Sequence, residues 1–265
     1  MRTARSTGTT PSARTAHQGR AAAFTVGLVA TGLLLSGCAE GGVDREPPLA
    51  DASPDEAFAA LEEELAAGTS PVRIVFDVTA EGAVGADLTG TLLLGRSGSA
   101  RVEAAGTFAG RQIDVTLISD GDRMFRTGAD SGVPAPAALR EALGVGFTRM
   151  GILHNLARLT GGAPPDHADG GAAEWVTVAA TDDRTMMEQA PGGAEASSIF
   201  RSITVAGQPS GTFALEFEGG VPTVRRQRVE FPQGIMRVTE RYRVVDLDAD
   251  LAEGAFDTTP LDTSR

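Results

Sequence analysis

The sequence predicts an α+β protein in which two groups of antiparallel strands flank a central helical stretch. Three observations carry that prediction. Apolar side chains recur at every second position early in the chain (72–126) and again late (175–245), the period of half-buried strands. Between those regions Phe147, Met150, Leu153 and Ala157 recur at helical spacing. The 33 Gly and 14 Pro supply turns and favour short strands over long helices.

Composition narrows the function classes. A chain of 265 residues with 42% apolar content suits one folded domain and excludes a disordered chain. A single Cys excludes a disulfide scaffold. All 23 basic residues are Arg, against 35 acids, for a formal net charge of −12. That balance argues against nucleic acid as a partner, since phosphate-backbone binding needs a basic surface.

The N-terminus reads as an address. Residues 1–20 carry Arg2, Arg5, Arg14 and Arg20 and no acid, and Ala21–Leu35 is an apolar run. A positive segment before 15 apolar residues is an export signal, too short for a comfortable membrane span. Leu35-Ser36-Gly37-Cys38 matches the bacterial lipobox, and the chain's one Cys occupies it. Residues 1–37 are therefore expected to be a lipoprotein signal peptide, with an acylated Cys38 as the mature N-terminus. Each buried CH₂ of the acyl chains would contribute about 0.8 kcal/mol to membrane attachment. Residues 38–52 have little apolar periodicity and read as a flexible tether. The expected location is exported, lipid-anchored to a bacterial membrane on its periplasmic or outer face.

The folded domain is expected over 53–265. Ser53-Pro54-Asp55-Glu56 is a capping box with Pro at the first helical position. Phe58, Leu61 and Leu65 then fall on one face of a short helix that Gly68 ends. From Pro71 the period becomes two. Ile74, Phe76 and Val78, then Leu92 and Leu94, then Ala100, Val102 and Ala104, then Ile113, Val115 and Leu117 mark four strands. Asp120-Gly121 turns the chain into a fifth, Arg123–Arg126. Pro136–Leu143 predicts a short helix, and Phe147, Met150, Leu153 and Leu156 a longer one running to Leu159. Strands resume at Trp175. The segment 181–197 suits a helical turn at Met186 and Met187 followed by a Gly-rich loop, and Ile199–Val205 suits a strand or a short helix. Phe213, Leu215 and Phe217 alternate clearly, as do Met236, Val238, Tyr242 and Val244, with Glu240 interrupting that apolar face.

This order of elements resembles the outer-membrane lipoprotein carrier superfamily (LolA/LolB type) and the LppX/LprG-type lipoproteins. The best local match is Ile118-Ser119-Asp120-Gly121-Asp122-Arg123-Met124-Phe125, similar to that superfamily's strand–Asp-Gly–strand segment. The resemblance spans residues 53–260 as architecture. It implies a strongly curved antiparallel half-barrel whose helices cover the concave face, around an apolar cavity for acyl chains. The carriers' gating Arg has two candidate positions here, Arg73 and Arg101.

The residue pattern is compatible with such a cavity. The inward sheet face would comprise Ile74, Phe76, Val78, Leu92, Leu94, Ile113, Val115, Leu117, Phe213, Leu215, Phe217, Met236 and Val238. The lid would be Phe58, Leu61, Leu65, Phe147, Met150, Leu153 and Leu156. A curved sheet bridged by short helices leaves an apolar hollow, or else these residues pack into a dry core.

Catalytic chemistry is absent from the motifs. There is no Gly-x-Ser-x-Gly elbow, phosphate-cradling loop or Cys metal knuckle. His154 reads as a core or rim residue. His167 with Asp166 and Asp169 lacks metal-ligand spacing. No metal, cofactor or enzymatic activity is expected. Arg225, Arg226, Arg228, Arg237, Arg241 and Arg243 are the one concentrated basic feature. They suit either cross-strand pairing with Glu216, Glu218, Glu230 and Glu240 or a stripe facing lipid headgroups or an acidic partner. The expected function is a membrane-anchored envelope lipoprotein that binds lipid or protein-borne acyl chains and carries or receives them. The alternative is a sensor or scaffold that binds a partner protein with the same fold.

Overall fold

The structure, a computed structural model, describes residues 52–261 apart from 129–130, 189–193 and 233. Cys38, the export signal and the tether up to residue 51 lie outside the described residues. The first element is helix α1 (Pro54–Ala67), closed at its start by the capping box and at its end by Gly68 in the left-handed region. Its Phe58, Leu61 and Leu65 are buried.

One open sheet of 11 antiparallel strands dominates the fold. The first meander is β1 (Val72–Gly82), β2 (Ala86–Leu94), β3 (Ala100–Phe108), β4 (Arg111–Ser119), β5 (Arg123–Arg126) and β6 (Val133–Pro134). The second is β7 (Val176–Ala180), β8 (Ser198–Val205), β9 (Gln208–Glu218), β10 (Val221–Phe231) and β11 (Gly234–Asp246). Pairing of β1 with β11 joins them, so the sheet runs β6-β5-β4-β3-β2-β1-β11-β10-β9-β8-β7. Both edge strands are short, which limits the length of backbone left open to another chain.

Inward residues line up across the strands. Ile74 stands opposite Leu92, which stands opposite Val102 and then Leu117. Phe76 lies over Gly90, where a Cβ would come within 2.6 Å of its ring. Gly106, at φ +136°, lets β3 approach β2 so closely that a Cβ there would lie 2.2 Å from the Asp87 carbonyl oxygen. Such glycine positions let a wide sheet bend. Ile74, Phe76, Val78, Leu92, Leu94, Leu117, Phe213, Leu215 and Phe217 are all buried in one cluster with α1 and the central helices. At about 25 cal/mol per Å² of apolar area, each such side chain contributes roughly 2 kcal/mol.

The central helices differ from the periodicity. The short helix expected over Pro136–Leu143 is α2 (Leu139–Val145), which runs on into a π-helical turn (Gly146–Met150); the longer helix expected from Phe147 to Leu159 is broken at Gly151, after which α3 (Ile152–Thr160) follows. Gly151 has φ +86° and ψ 155°, which no helix accommodates. Trp175, read as the first residue of a strand, ends a short helix α4 (Ala172–Trp175). The segment Ile199–Val205 is strand, within β8. Asp120-Gly121 forms the tight turn, with Asp120 Oδ1 accepting from the Asp122 and Arg123 amides.

Candidate functional site: an apolar cavity under a polar clamp

The helical cover is held to the sheet by charged side chains that point inward. On β10, Arg225 is fully buried. Its guanidinium donates to the carbonyls of Thr148 (3.0 Å) and Arg149 (2.7 Å) and to Gln227 Oε1 (2.9 Å), and lies 3.8 Å from the centre of the Phe213 ring. These are the carbonyls that the end of the π-helical turn leaves without helical partners. Opposite Arg225 in register is Glu240 on β11, also fully buried. Its carboxylate accepts from the Ile152 amide (3.0 Å), the Leu153 amide (2.9 Å) and the Tyr242 hydroxyl (2.6 Å). Those two amides open α3, where the helix dipole favours negative charge. Gly151 lies against Glu240 and Gln227, and a Cβ on it would lie 2.7 Å from Glu240 Oε1 and 3.2 Å from Gln227 Oε1.

Burial lowers the Arg225 pKa from its ordinary value, and raises the Tyr242 phenol well above its own, with Glu240's charge adding to the second shift. Two more arginines fasten the cover. Arg149 bonds Glu62 on α1 and the carbonyls of Ala173 and Val176. Arg140 donates to the carbonyls of Gly95 (2.6 Å) and Ser70 (3.2 Å).

Beside this clamp lies a cavity of about 520 Å³, within the roughly 300–1,000 Å³ of small-molecule pockets. Its sheet wall is Val229, Phe231, Met236 and Val238, its helix wall is Met150, Leu153 and Ala157, and Val84 from the β1–β2 turn and Phe108 at the end of β3 complete the rim. Trp175, His154, Asp166, Gln227 and Glu240 form the polar end. Phe231 is 41% exposed and Ile235 38%, at the tip of the β10–β11 hairpin.

The polar end is organised around Trp175. His167 stacks on its ring at 4.7 Å between centroids, and His154 lies 5.8 Å away. His154 Nε2 is 3.2 Å from Asp166 Oδ2, without the alignment of a hydrogen bond, and Arg158 Nε lies 3.1 Å from the other carboxylate oxygen. Burial lowers the His154 pKa, and Asp166 opposes that shift without cancelling it. Ser210 also lines the cavity, but its hydroxyl donates to the Gln208 carbonyl. Among the described residues no hydroxyl is hydrogen-bonded to His154, the contact that would activate a nucleophile.

Of the residues read as cavity wall, the structure places Met236 and Val238 at this cavity; of the lid residues, Met150 and Leu153. Ile74, Phe76, Val78, Leu92, Leu94, Leu117, Phe213, Leu215 and Phe217 lie in the packed core instead, beside Phe58, Leu61, Leu65, Phe147 and Leu156. The reason is that the helices reach the middle of the sheet: Phe58 meets Phe213 at 6.4 Å, and Phe147 meets Tyr242 edge-on at 5.0 Å. Ile113 and Val115 line a separate, mainly polar recess beside Leu159. Arg73 is exposed, and Arg101 pairs with Glu103; neither lines the cavity. Phe108, Val84, Phe231 and Trp175 were missed as lining. Val84 sits in a turn, and Phe108 and Phe231 are the last residues of β3 and β10, where alternation gives little signal.

No family model matches the chain, and no curated protein matches it. Among solved structures it is similar to MucB, at 15% identity and a TM-score of 0.35, over 78% of this chain and 63% of that one. It is also similar to LprF from Mycobacterium bovis, at 11% identity and a TM-score of 0.30, over 75% of this chain and 98% of that one. A DUF1329 family protein from Desulfovibrio piger gives 9% identity and a TM-score of 0.31, over 79% of this chain and all of that one. The chain spans less than two thirds of MucB.

Proposed function

We propose that this protein is a membrane-anchored envelope lipoprotein that holds an acyl chain in the cavity beside α3 and the β10–β11 hairpin, and carries or receives it without covalent chemistry. The observation that carries this reading is a 520 Å³ hollow with apolar walls, its rim marked by an exposed phenylalanine. An acyl chain entering it would gain about 0.8 kcal/mol per buried CH₂. Binding immobilises the chain, which offsets part of that gain. Arg225 and Glu240 pin the helical cover, so the chain would pass between α3 and the hairpin, not under a lifted lid. Anchorage through an acylated Cys38 would hold the cavity close to its lipid source.

Mass spectrometry of organic extracts from purified protein tests the reading. One lipid per chain is expected, and Ala157→Trp, which fills the cavity from α3, should reduce it several-fold while the far-UV spectrum is unchanged. Lipid-free extracts from repeated preparations would overturn it. A partner protein captured equally by the original chain and by Ala157→Trp would favour the sensor or scaffold reading.

A further inference from the structure

The outer face of β10 and β11 carries a second recess, of about 330 Å³, which shares only Gln227 and Val238 with the lining of the cavity. Four arginines line it: Arg226 and Arg228 from β10, Arg237 and Arg241 from β11. Thr79, Thr185 and Thr239 add hydroxyls, and Glu188 is the one acid in the lining. The segment 185–187 stands over it, held down by Met186 and Met187, which pack with Phe200 and Ala214 on this face.

Strand register makes the recess electrostatically unusual. Arg228 stands directly opposite Arg237, and Arg226 opposite Thr239, with Arg241 two residues further along β11. Like charges directly opposite each other destabilise a sheet. Two of the four are neutralised, Arg226 by Glu216 and Arg228 by Glu230. Asp77, opposite Arg241 in register, is held by Arg243, with contacts of 2.8 and 2.9 Å. Glu81 is opposite Arg237 but forms no ion pair with it. Among the described residues, Arg237 and Arg241 are therefore without a hydrogen-bonded or ion-paired partner, and both are exposed. Burial and the charge of Arg241 together lower the Arg226 pKa, a sign that the guanidiniums act on one another.

We infer that this recess binds a compact phosphate-bearing anion, with Arg237 and Arg241 as its principal ligands and Arg226 and Arg228 completing the cradle. Guanidinium forks match phosphate oxygens in pairs, and charge-assisted bonds of this kind are about twice as strong as neutral ones. A recess at the small end of the ligand range fits a group such as pyrophosphate or a phosphomonoester headgroup. The bound anion would relieve the repulsion that the register imposes. This inference stands apart from the acyl-chain reading, because it concerns the opposite face of the sheet.

Isothermal titration calorimetry of the full chain in non-ionic detergent, at low salt, tests it with two probes. Inorganic pyrophosphate should bind saturably, and added NaCl should weaken it. Arg237→Gln and Arg241→Gln should each weaken binding about tenfold, as expected for one charged hydrogen-bonding group, and the double variant should remove it. Arg73→Gln, exposed on β1 and outside the recess, should leave it unchanged. Mixed micelles carrying phosphatidic acid form the second arm. Competition with pyrophosphate there would identify a lipid headgroup as the source, and pyrophosphate binding alone a soluble one. No saturable binding by millimolar pyrophosphate, or equal losses from Arg73→Gln and Arg237→Gln, would overturn the assignment.

Discussion

Replacing Glu240 by Gln isolates the clamp. The side chain keeps its shape, but one oxygen becomes an NH₂ that must face a donor. Glu240 accepts three hydrogen bonds, from the Ile152 and Leu153 amides and the Tyr242 hydroxyl. Bonds to a charged acceptor contribute about 1.5–3 kcal/mol each, and a buried donor left unpaired costs about 1–3 kcal/mol. Losing one bond and stranding one donor should therefore destabilise the fold by about 3 kcal/mol. Breaking a buried charge pair by removing one partner falls in the same range, about 3–5 kcal/mol. In urea, with a slope of about 2–3 kcal/mol/M, the midpoint should fall by roughly 1 M. Tyr242→Phe removes a single donor and should cost about 1–2 kcal/mol. The double variant should cost less than the sum, since both act on one carboxylate. Urea unfolding followed by far-UV circular dichroism reads all three. A Glu240→Gln midpoint within 0.2 M of the original, or strict additivity with Tyr242→Phe, would refute the clamp, ~0.5 kcal/mol being the scale of an ordinary surface change.

Other expectations follow from the same geometry. Gly151→Ala must leave a φ of +86° or push Glu240 aside, so it should destabilise by more than 1 kcal/mol in the same assay, whereas Gly110→Ala, which meets open space, should show strain alone. Burial holds the His154 pKa below 6.5, so its contribution is intact above that pH and is lost as pH falls from 6.5 through the lowered folded value. His154→Gln should flatten thermal stability over that window, and an unchanged pH profile would count against a buried neutral imidazole. Phe231→Asp, at the exposed hairpin tip, should slow lipid uptake from vesicles while leaving the melting temperature within a degree or two, as measured by calorimetry and fluorescent-lipid transfer.

Strands were readable wherever one face is greasy, because a period of two leaves a clear trace: Ile74, Phe76 and Val78, or Phe213, Leu215 and Phe217. What escaped was the polarity of the interior. On β10 the register shifts between Pro222 and Val224, so the inward residues are Pro222, Arg225 and Gln227. A bulge resets which side chains face in, and the apolar Val224, out of phase with Arg225, Gln227 and Val229, misleads about which face is inward. Glu240 did leave a signal, since it occupies an inward slot between Val238 and Tyr242, but its partners are backbone amides nearly 90 residues earlier. Spacing does not reveal such partners. The break at Gly151 escaped for the same reason: its cause is a contact with Glu240, not a local helix preference. The sizes of Phe58, Phe147, Phe213 and Tyr242 say nothing of which rings meet in the interior, Phe58 with Phe213 and Phe147 with Tyr242. Once they meet, the centre of the sheet is full, and space remains only toward the strand ends.

That placement decides how a ligand could come and go. Lifting the cover would separate Arg225 from three helix carbonyls and Glu240 from two amides, leaving Arg225 with Gln227 and the Phe213 ring and Glu240 with the Tyr242 hydroxyl. Losing these charge-assisted bonds costs about 1.5–3 kcal/mol each, so lifting would take a large share of the roughly 5–15 kcal/mol that holds a domain together. The hairpin end is different. Phe231, Met236 and Val229 face Leu153 and Ala157 across the cavity with apolar side chains on both walls, and parting them breaks no charged contact. Motion is least costly where dispersion alone is lost and solvent or lipid replaces it. A disulfide from hairpin to α3, Met236→Cys with Ala157→Cys, should therefore block lipid exchange when oxidised and restore it on reduction. A link that ties the cover to the sheet away from the cavity, Asp55→Cys on α1 joined to Arg201→Cys on β8 by a short bis-maleimide at their ion pair, should leave exchange intact. Exchange lost only with the second link would mean that the cover lifts after all, and that the buried charges act as a latch instead of a fixed mount.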